Sequence, residues 1–192
     1  MDKKISVGFA ICGSFCTFKE IINEMKTLAD KGYDIVPIMS FNAYNTDTRF
    51  GKAKEHIERI ESICGKKIIS TIPDAEPIGP KKILDIMIIE PCTGNTAAKL
   101  ANGITDTPVT LAAKAHLRNE RPLLIAISTN DALSGSAKNI GKLINMKNIY
   151  FVPFKQDNPD DKPRSMIADF TKTESAIISA MNNKQIQPII SG

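Results

Sequence analysis

The chain has 192 residues, 42% hydrophobic and 24% charged, a composition that builds a globular core without disulfide or metal staples. Its net charge of +4 is spread along the sequence, and isolated pairs such as Lys66-Lys67 and Lys81-Lys82 read as solvated surface, which argues against a nucleic-acid-binding protein. No run approaches the roughly 18 apolar residues of a spanning helix, and the opening Met1-Asp2-Lys3-Lys4-Ile5 lacks the apolar stretch and cleavage site of a signal peptide, so a cytoplasmic protein is expected.

Residues 4–12 form a short apolar run rich in β-branched side chains, the profile of a buried parallel strand. Phe18, Ile21, Ile22, Met25, Leu28 and Ala29 then repeat at helical spacing, and Gly32 stands where a helix C-terminal glycine belongs. A strand over 33–39, a loop through Asn42, Asn45 and Asp47, a helix near 51–64 and a short strand over 67–71 follow. Pro73, Pro77, Gly79 and Pro80 mark a broken connection. The run 83–89 reads as a fully buried strand, with a helix after the loop 91–96 that ends near Asn102-Gly103. Thr107-Pro108 opens the next helix, with threonine as N-cap and proline at the first helical position. Then come a strand over 122–127, a helix carrying Leu133, Ala137, Ile140 and Ile144, and a short strand over 149–152. Residues 155–165 are a polar loop, and a last helix is expected over about 171–183. Without repeats or linkers, this alternation predicts one α/β domain over 1–192, core about 4–152, built on a doubly wound, mostly parallel sheet with helices on both faces.

Open parallel sheets bind ligands beyond the carboxyl ends of their strands, so the residues after each strand are the candidates. After the first come Gly13, Ser14 and Phe15, where a tight turn at a helix N-terminus attracts phosphate; the same residues would also serve as an ordinary strand–helix turn. The dinucleotide pattern G-x-G-x-x-G and the P-loop are absent, which favours a mononucleotide phosphate. Ser40, after the second strand, either completes that phosphate site or simply caps a helix. The segment Glu90-Pro91-Cys92-Thr93-Gly94-Asn95-Thr96 sets donors at a helix start, able to bond the carbonyls of a planar ring or to cap the helix, and Glu90 places a carboxylate directly after an apolar strand. Ser128, Thr129, Asn130 and Asp131 follow the 122–127 strand on the same edge and line it with small polar groups, unless Ser128 or Thr129 simply caps the next helix. His56 reads as surface and His116 as a helix-end residue, so neither is a catalytic candidate. Cys12, Cys16, Cys64 and Cys92 form no C-x-x-C pair, so no metal site is expected and free, mostly buried thiols are.

Taken together, Gly13-Ser14, Ser40, Pro91–Thr96, Ala101–Asp106 and Ser128–Asn130 resemble the flavoprotein family that includes peptide cysteine decarboxylases, phosphopantothenoylcysteine decarboxylase and the flavin prenyltransferases. That resemblance implies a Rossmann-like, flavodoxin-like fold and FMN as cofactor. The phosphate would sit at Gly13, Ser14, Phe15 and Ser40, and the ring near Pro91–Thr96 with Ser128 and Thr129. It also implies a homo-oligomer. Residues 153–159, Lys162-Pro163 and 184–188 narrow the likeness to one subunit of a two-subunit enzyme of spore-forming bacteria, which makes an aromatic dicarboxylate beside a nicotinamide-dependent partner. The decarboxylase histidine is missing from 76–80, and of the family's P-x-M-N only Asn130 survives, which counts against cysteine decarboxylation. Glu90 replaces a small residue and, with Asn130, is the expected catalytic group, Glu90 acting as a base if burial raises its pKa. The competing readings are a non-catalytic flavin-binding or scaffolding role, and a decarboxylase or prenyltransferase.

Overall fold

The computed structural model describes residues 4–191. Strand β1 (Ser6–Ile11) lies inside the sheet, flanked in parallel by the edge strand β2 (Asp34–Met39) and by β3 (Ile86–Cys92). Beyond β3 lies β4 (Leu123–Thr129), whose first half pairs in parallel with β5 (Ile149–Phe151). The far half of β4 pairs antiparallel with β7 (Met166–Ala168), which in turn pairs with β6 (Phe154–Gln156). The parallel order is therefore β2-β1-β3-β4-β5, with a short antiparallel ribbon at its outer end.

That order reverses direction between β1 and β3. Because crossovers are right-handed, helix α1 (Phe18–Asp30), which leads to β2, packs on one face. The helices leading outward from β3 and β4 pack on the other: α5 (Gly94–Ala101), α6 (Pro108–Leu117) and α7 (Ala137–Ile144). The remaining helices are α2 (Phe41–Asn45), α3 (Ala53–Cys64), the single turn α4 (Ile72–Ala75) and α8 (Thr173–Met181). α8 returns to pack on β4 and β5, and the 3-10 turn Phe170–Lys172 links it to α1.

Each element follows from its side chains. The stripe Phe18, Ile21, Ile22, Met25 and Leu28 is wholly buried, and α1 hands over to β2 through Gly32 at φ +94°. Thr107 and Thr110 form a reciprocal capping box behind Pro108. One continuous core joins β1, β3, β4 and both helix layers.

Several expected elements differ. Residues 67–71 form no strand, only a bridge between Ile38 and Ile69. The loop after β2 contains α2; β6 overlaps the start of the expected polar loop 155–165, and β7 follows it where no element is expected. His56 is not a surface residue: its ring packs edge-on against Phe18 at 5.2 Å, and its Nε2 is buried without a partner. His116 is not a cationic helix end. It is buried against the Pro122 carbonyl, and burial pushes its pKa down to about 4.

Candidate functional site

At the reversal point the carboxyl ends of β1 and β3 diverge, leaving a crevice of the kind open α/β sheets use for ligands. It has two chambers, of 390 and 410 Å³, and both are bordered by Gly13 and Thr93. The inner chamber adds Ser40, Asn42, Asn95 and Thr96, with the Lys99–Asp106 pair and Thr107 at its rim. The outer chamber adds Ser14, Phe15, Cys16 and Phe50 on one side and Ser128, Thr129, Asn130 and Asp131 on the other. The β6–β7 connection contributes Asp157, Lys162 and Ser165 to its wall.

Donors converge where the chambers meet. The Ser14 N–H turns back onto the Cys12 carbonyl at 2.9 Å, so the donors left in this turn are the Ser14 hydroxyl and the opening N–H groups of the 3-10 turn Phe15–Thr17. Ser14 Oγ and Ser128 Oγ lie 2.8 Å apart, and since one O–H suffices for that bond, the other can reach a ligand. Ser40 Oγ accepts the Ala43 N–H at 3.3 Å as N-cap of α2, which likewise leaves its O–H to donate. Thr93 caps α5, accepting from the Thr96 N–H at 3.3 Å, but donates its own O–H to Thr96 Oγ1 at 3.2 Å, and Thr96 Oγ1 in turn donates to Cys12 Sγ at 3.2 Å. Cys12 is buried and its thiol is pushed up to about 11, so it is an uncharged acceptor at neutral pH.

A tight knot closes the outer chamber. Asp131 Oδ1 accepts from Thr129 Oγ1 at 2.5 Å and from Ser136 Oγ at 2.9 Å. A Cβ on Gly94 would stand 2.5 Å from Ser136 Oγ, 2.7 Å from Asp131 Oδ1 and 2.8 Å from Thr129 Oγ1, so only glycine lets the start of α5 approach the β4–α7 loop. Ser165 ties the β7 side to this loop, its Oγ 3.3 Å from the Thr129 carbonyl and from Asn130 Oδ1.

The crevice thus gathers Gly13, Ser14, Phe15, Ser40, Thr93, Asn95, Thr96, Ser128, Thr129 and Asn130. Gly94 supports it from behind, and Cys92 is buried in the core beneath. Pro91, in β3, borders neither chamber; its carbonyl accepts the Cys12 N–H at 3.3 Å, tying β3 to the end of β1. Glu90 is a correction. The sequence puts it forward as a base on the active edge, but β3 runs on to Cys92 and carries the Glu90 side chain wholly into the core, where Oε2 accepts from Thr173 Oγ1 at 2.8 Å and Oε1 has no partner. Burial, with Glu24 and Glu20 of α1 nearby, holds its carboxyl well above the usual range, which favours the neutral acid, and it borders neither chamber. Phe50 and Ser165 carry no mark in the sequence, and Lys162 is marked there only by its part in the resemblance, not as a site residue. They come from a turn and a ribbon whose approach to the crevice depends on tertiary packing.

The chain belongs to the Flavoprotein family, whose sequence model matches residues 1–184. It is 44% identical over 184 residues to the second (B) subunit of dipicolinate synthase from Bacillus subtilis (strain 168), spanning 96% of this chain and 92% of that one, and is a homologue of it. The crystal structure of the same dipicolinate synthase component from Bacillus halodurans superposes with a TM-score of 0.90 at 42% identity, covering 98% of this chain and 96% of the other. An FMN-dependent cysteine decarboxylase, SpaF, shares the fold with a TM-score of 0.66 at 22% identity, over 93% of this chain and 96% of that one.

Proposed function

We propose that this chain is the FMN-binding subunit of a dipicolinate synthase and helps oxidise a cyclic dihydro- or tetrahydro-dipicolinate to dipicolinate, beside the nicotinamide-dependent first (A) subunit of that synthase, in the cytoplasm of a sporulating cell. The observation that carries the reading is the two-chambered crevice at the reversal of strand order, with Gly13 and Thr93 shared by both halves. Its chambers fall within the size range of small-molecule sites. The residues present fit a mononucleotide flavin: the unspent hydroxyl protons, one of the Ser14–Ser128 pair and that of Ser40, suit a phosphate, and Asn95 at the start of α5 suits the carbonyl edge of a planar ring. When bound, FMN supplies a two-electron acceptor. The chain's own part is to grip the phosphate at the end of β1, to orient the ring at the start of α5, and to hold the substrate in the outer chamber beside Asn130.

A non-catalytic, scaffolding reading has one observation in its favour: Asp106 and Asp157, two of the carboxylates bordering the crevice, are already ion-paired with lysines. The two readings part under anaerobic mixing. FMN-loaded protein, with and without the nicotinamide-dependent partner, is exposed to dihydrodipicolinate and its visible absorbance is followed. Loss of the flavin band is expected; a band that persists in both mixtures refutes the oxidoreductase role.

A further inference from the structure

Aromatising a partly reduced ring removes two hydrogens, one with its electron pair and one as a proton, so the crevice needs a proton acceptor. Few groups can fill that role. His116 lies in the core, away from the crevice, and His56 is sealed behind Gly51. Glu90 faces α8. The Cys12 thiol is occupied by Thr96. Three carboxylates border the chambers. Asp106 is held by Lys99 through contacts of 2.7 and 2.9 Å, which keeps its carboxyl below the usual range. Asp157 is held by Lys162 at 3.0 Å. Asp131 makes no ion pair among the described residues.

We infer that Asp131 is the proton acceptor of this site, its Oδ2 taking a ring proton while flavin takes the paired hydride. The inference rests on the oxidoreductase reading above. The geometry suits the role. Both hydroxyl bonds, from Thr129 and Ser136, fall on Oδ1 and fix the carboxyl; Oδ2 makes no hydrogen bond among the described residues and lies on the side of Gly135, whose missing side chain leaves it uncovered. The close approach of Gly94 locks the same carboxyl against the start of α5, between the end of β4 and the shared wall of the crevice. Lys162, Asp157 and Cys16 are the other titratable groups bordering this chamber. In the step, one ring C–H breaks and its hydrogen leaves with both electrons to the flavin, the oxidant. A neighbouring C–H breaks, its electron pair becomes the new ring double bond, and its proton goes to Oδ2 and on to solvent.

The test compares wild type with Asp131→Asn, using two readouts. FMN-loaded proteins are mixed anaerobically with dihydrodipicolinate from about pH 4 to about pH 8, across the carboxylate range. The flavin-free proteins are titrated calorimetrically with dipicolinate in buffers of different ionisation heat. We expect the variant to keep wild-type FMN affinity and melting temperature, and to bleach flavin on the order of 100-fold or more slowly. It should also lose the rise of rate with pH, and dipicolinate binding should draw a proton into wild type but not into the variant. An unchanged bleaching rate and proton uptake in the variant would overturn the inference while leaving the oxidoreductase reading intact. Lost FMN affinity in the variant would make Asp131 a structural group and also overturn it. A wild type that does not bleach sinks the oxidoreductase reading, and the inference with it. If Asp131→Asn does not fold, Asp131→Glu, which keeps the carboxyl, is the second variant, and recovery of at least part of the bleaching rate is required of it.

Discussion

Replacing Glu90 with glutamine removes a buried acid that must remain protonated for β3 to pack beneath α8. The exposed glutamate value is 4.5, and in the fold the carboxyl is held well above it by burial, with Thr173 as its one hydrogen-bond partner among the described residues. For an acid raised on folding, the stability it confers is complete below the unfolded value and is lost as pH rises toward the folded value. Each pH unit between the unfolded and folded values costs about 1.4 kcal/mol, so wild type should lose stability at up to that slope as pH rises above the unfolded value, a loss that Glu90→Gln does not show. The glutamine amide adds a penalty of its own, about 1–3 kcal/mol for a poorly satisfied buried donor, but that penalty does not vary with pH. The informative quantity is therefore the difference in slope. Urea denaturation of both proteins across this pH range measures it, with the other titrating groups cancelling between the two. Parallel stability profiles would refute the assignment of a neutral, buried Glu90.

Gly94→Ala should drive a methyl into Ser136, Asp131 and Thr129, destabilise the fold by about 1–3 kcal/mol and weaken FMN binding, since the displaced loop forms the outer chamber; denaturation and flavin titration of the same sample check both. Thr107→Ala should break the capping box of α6 and cost about 1 kcal/mol, seen as a lower melting temperature, with a smaller effect for Thr107→Ser, which keeps the cap.

Much of this arrangement is legible in the sequence because the deciding signals are local. The α1 stripe is read from spacing alone, since every apolar member of it from Phe18 to Leu28 is buried, and Thr107-Pro108 announces its helix through chain-local capping. Serines, threonines and asparagines placed after strands point to the crevice because a parallel sheet collects its strand ends on one edge. Glu90 misleads for a physical reason. A glutamate followed by proline looks like the charged end of a strand, whereas burial neutralises the acid and β3 continues to Cys92. The strands β6 and β7 are three residues each and owe their existence to pairing across a polar connection and to the free upper edge of β4, information absent from either segment alone. Phe50 is silent in the sequence for the same reason and Lys162 is not marked there as a site residue, while Asp131 stands among the strand-end residues without anything there to mark it as a crevice carboxylate with no ion pair among the described residues.

A flavin nucleotide held by its phosphate at the turn after β1, with its ring at the start of α5, underlies every functional step proposed for this chain. Fluorescence titration of the flavin-free protein with FMN and with riboflavin, repeated for Ser14→Ala, tests this directly. We predict saturable uptake of FMN, binding of riboflavin at least about tenfold weaker, a difference of about 1.4 kcal/mol or more, and a narrower gap in Ser14→Ala. Equal affinity for the two flavins, or no uptake of either, would contradict it.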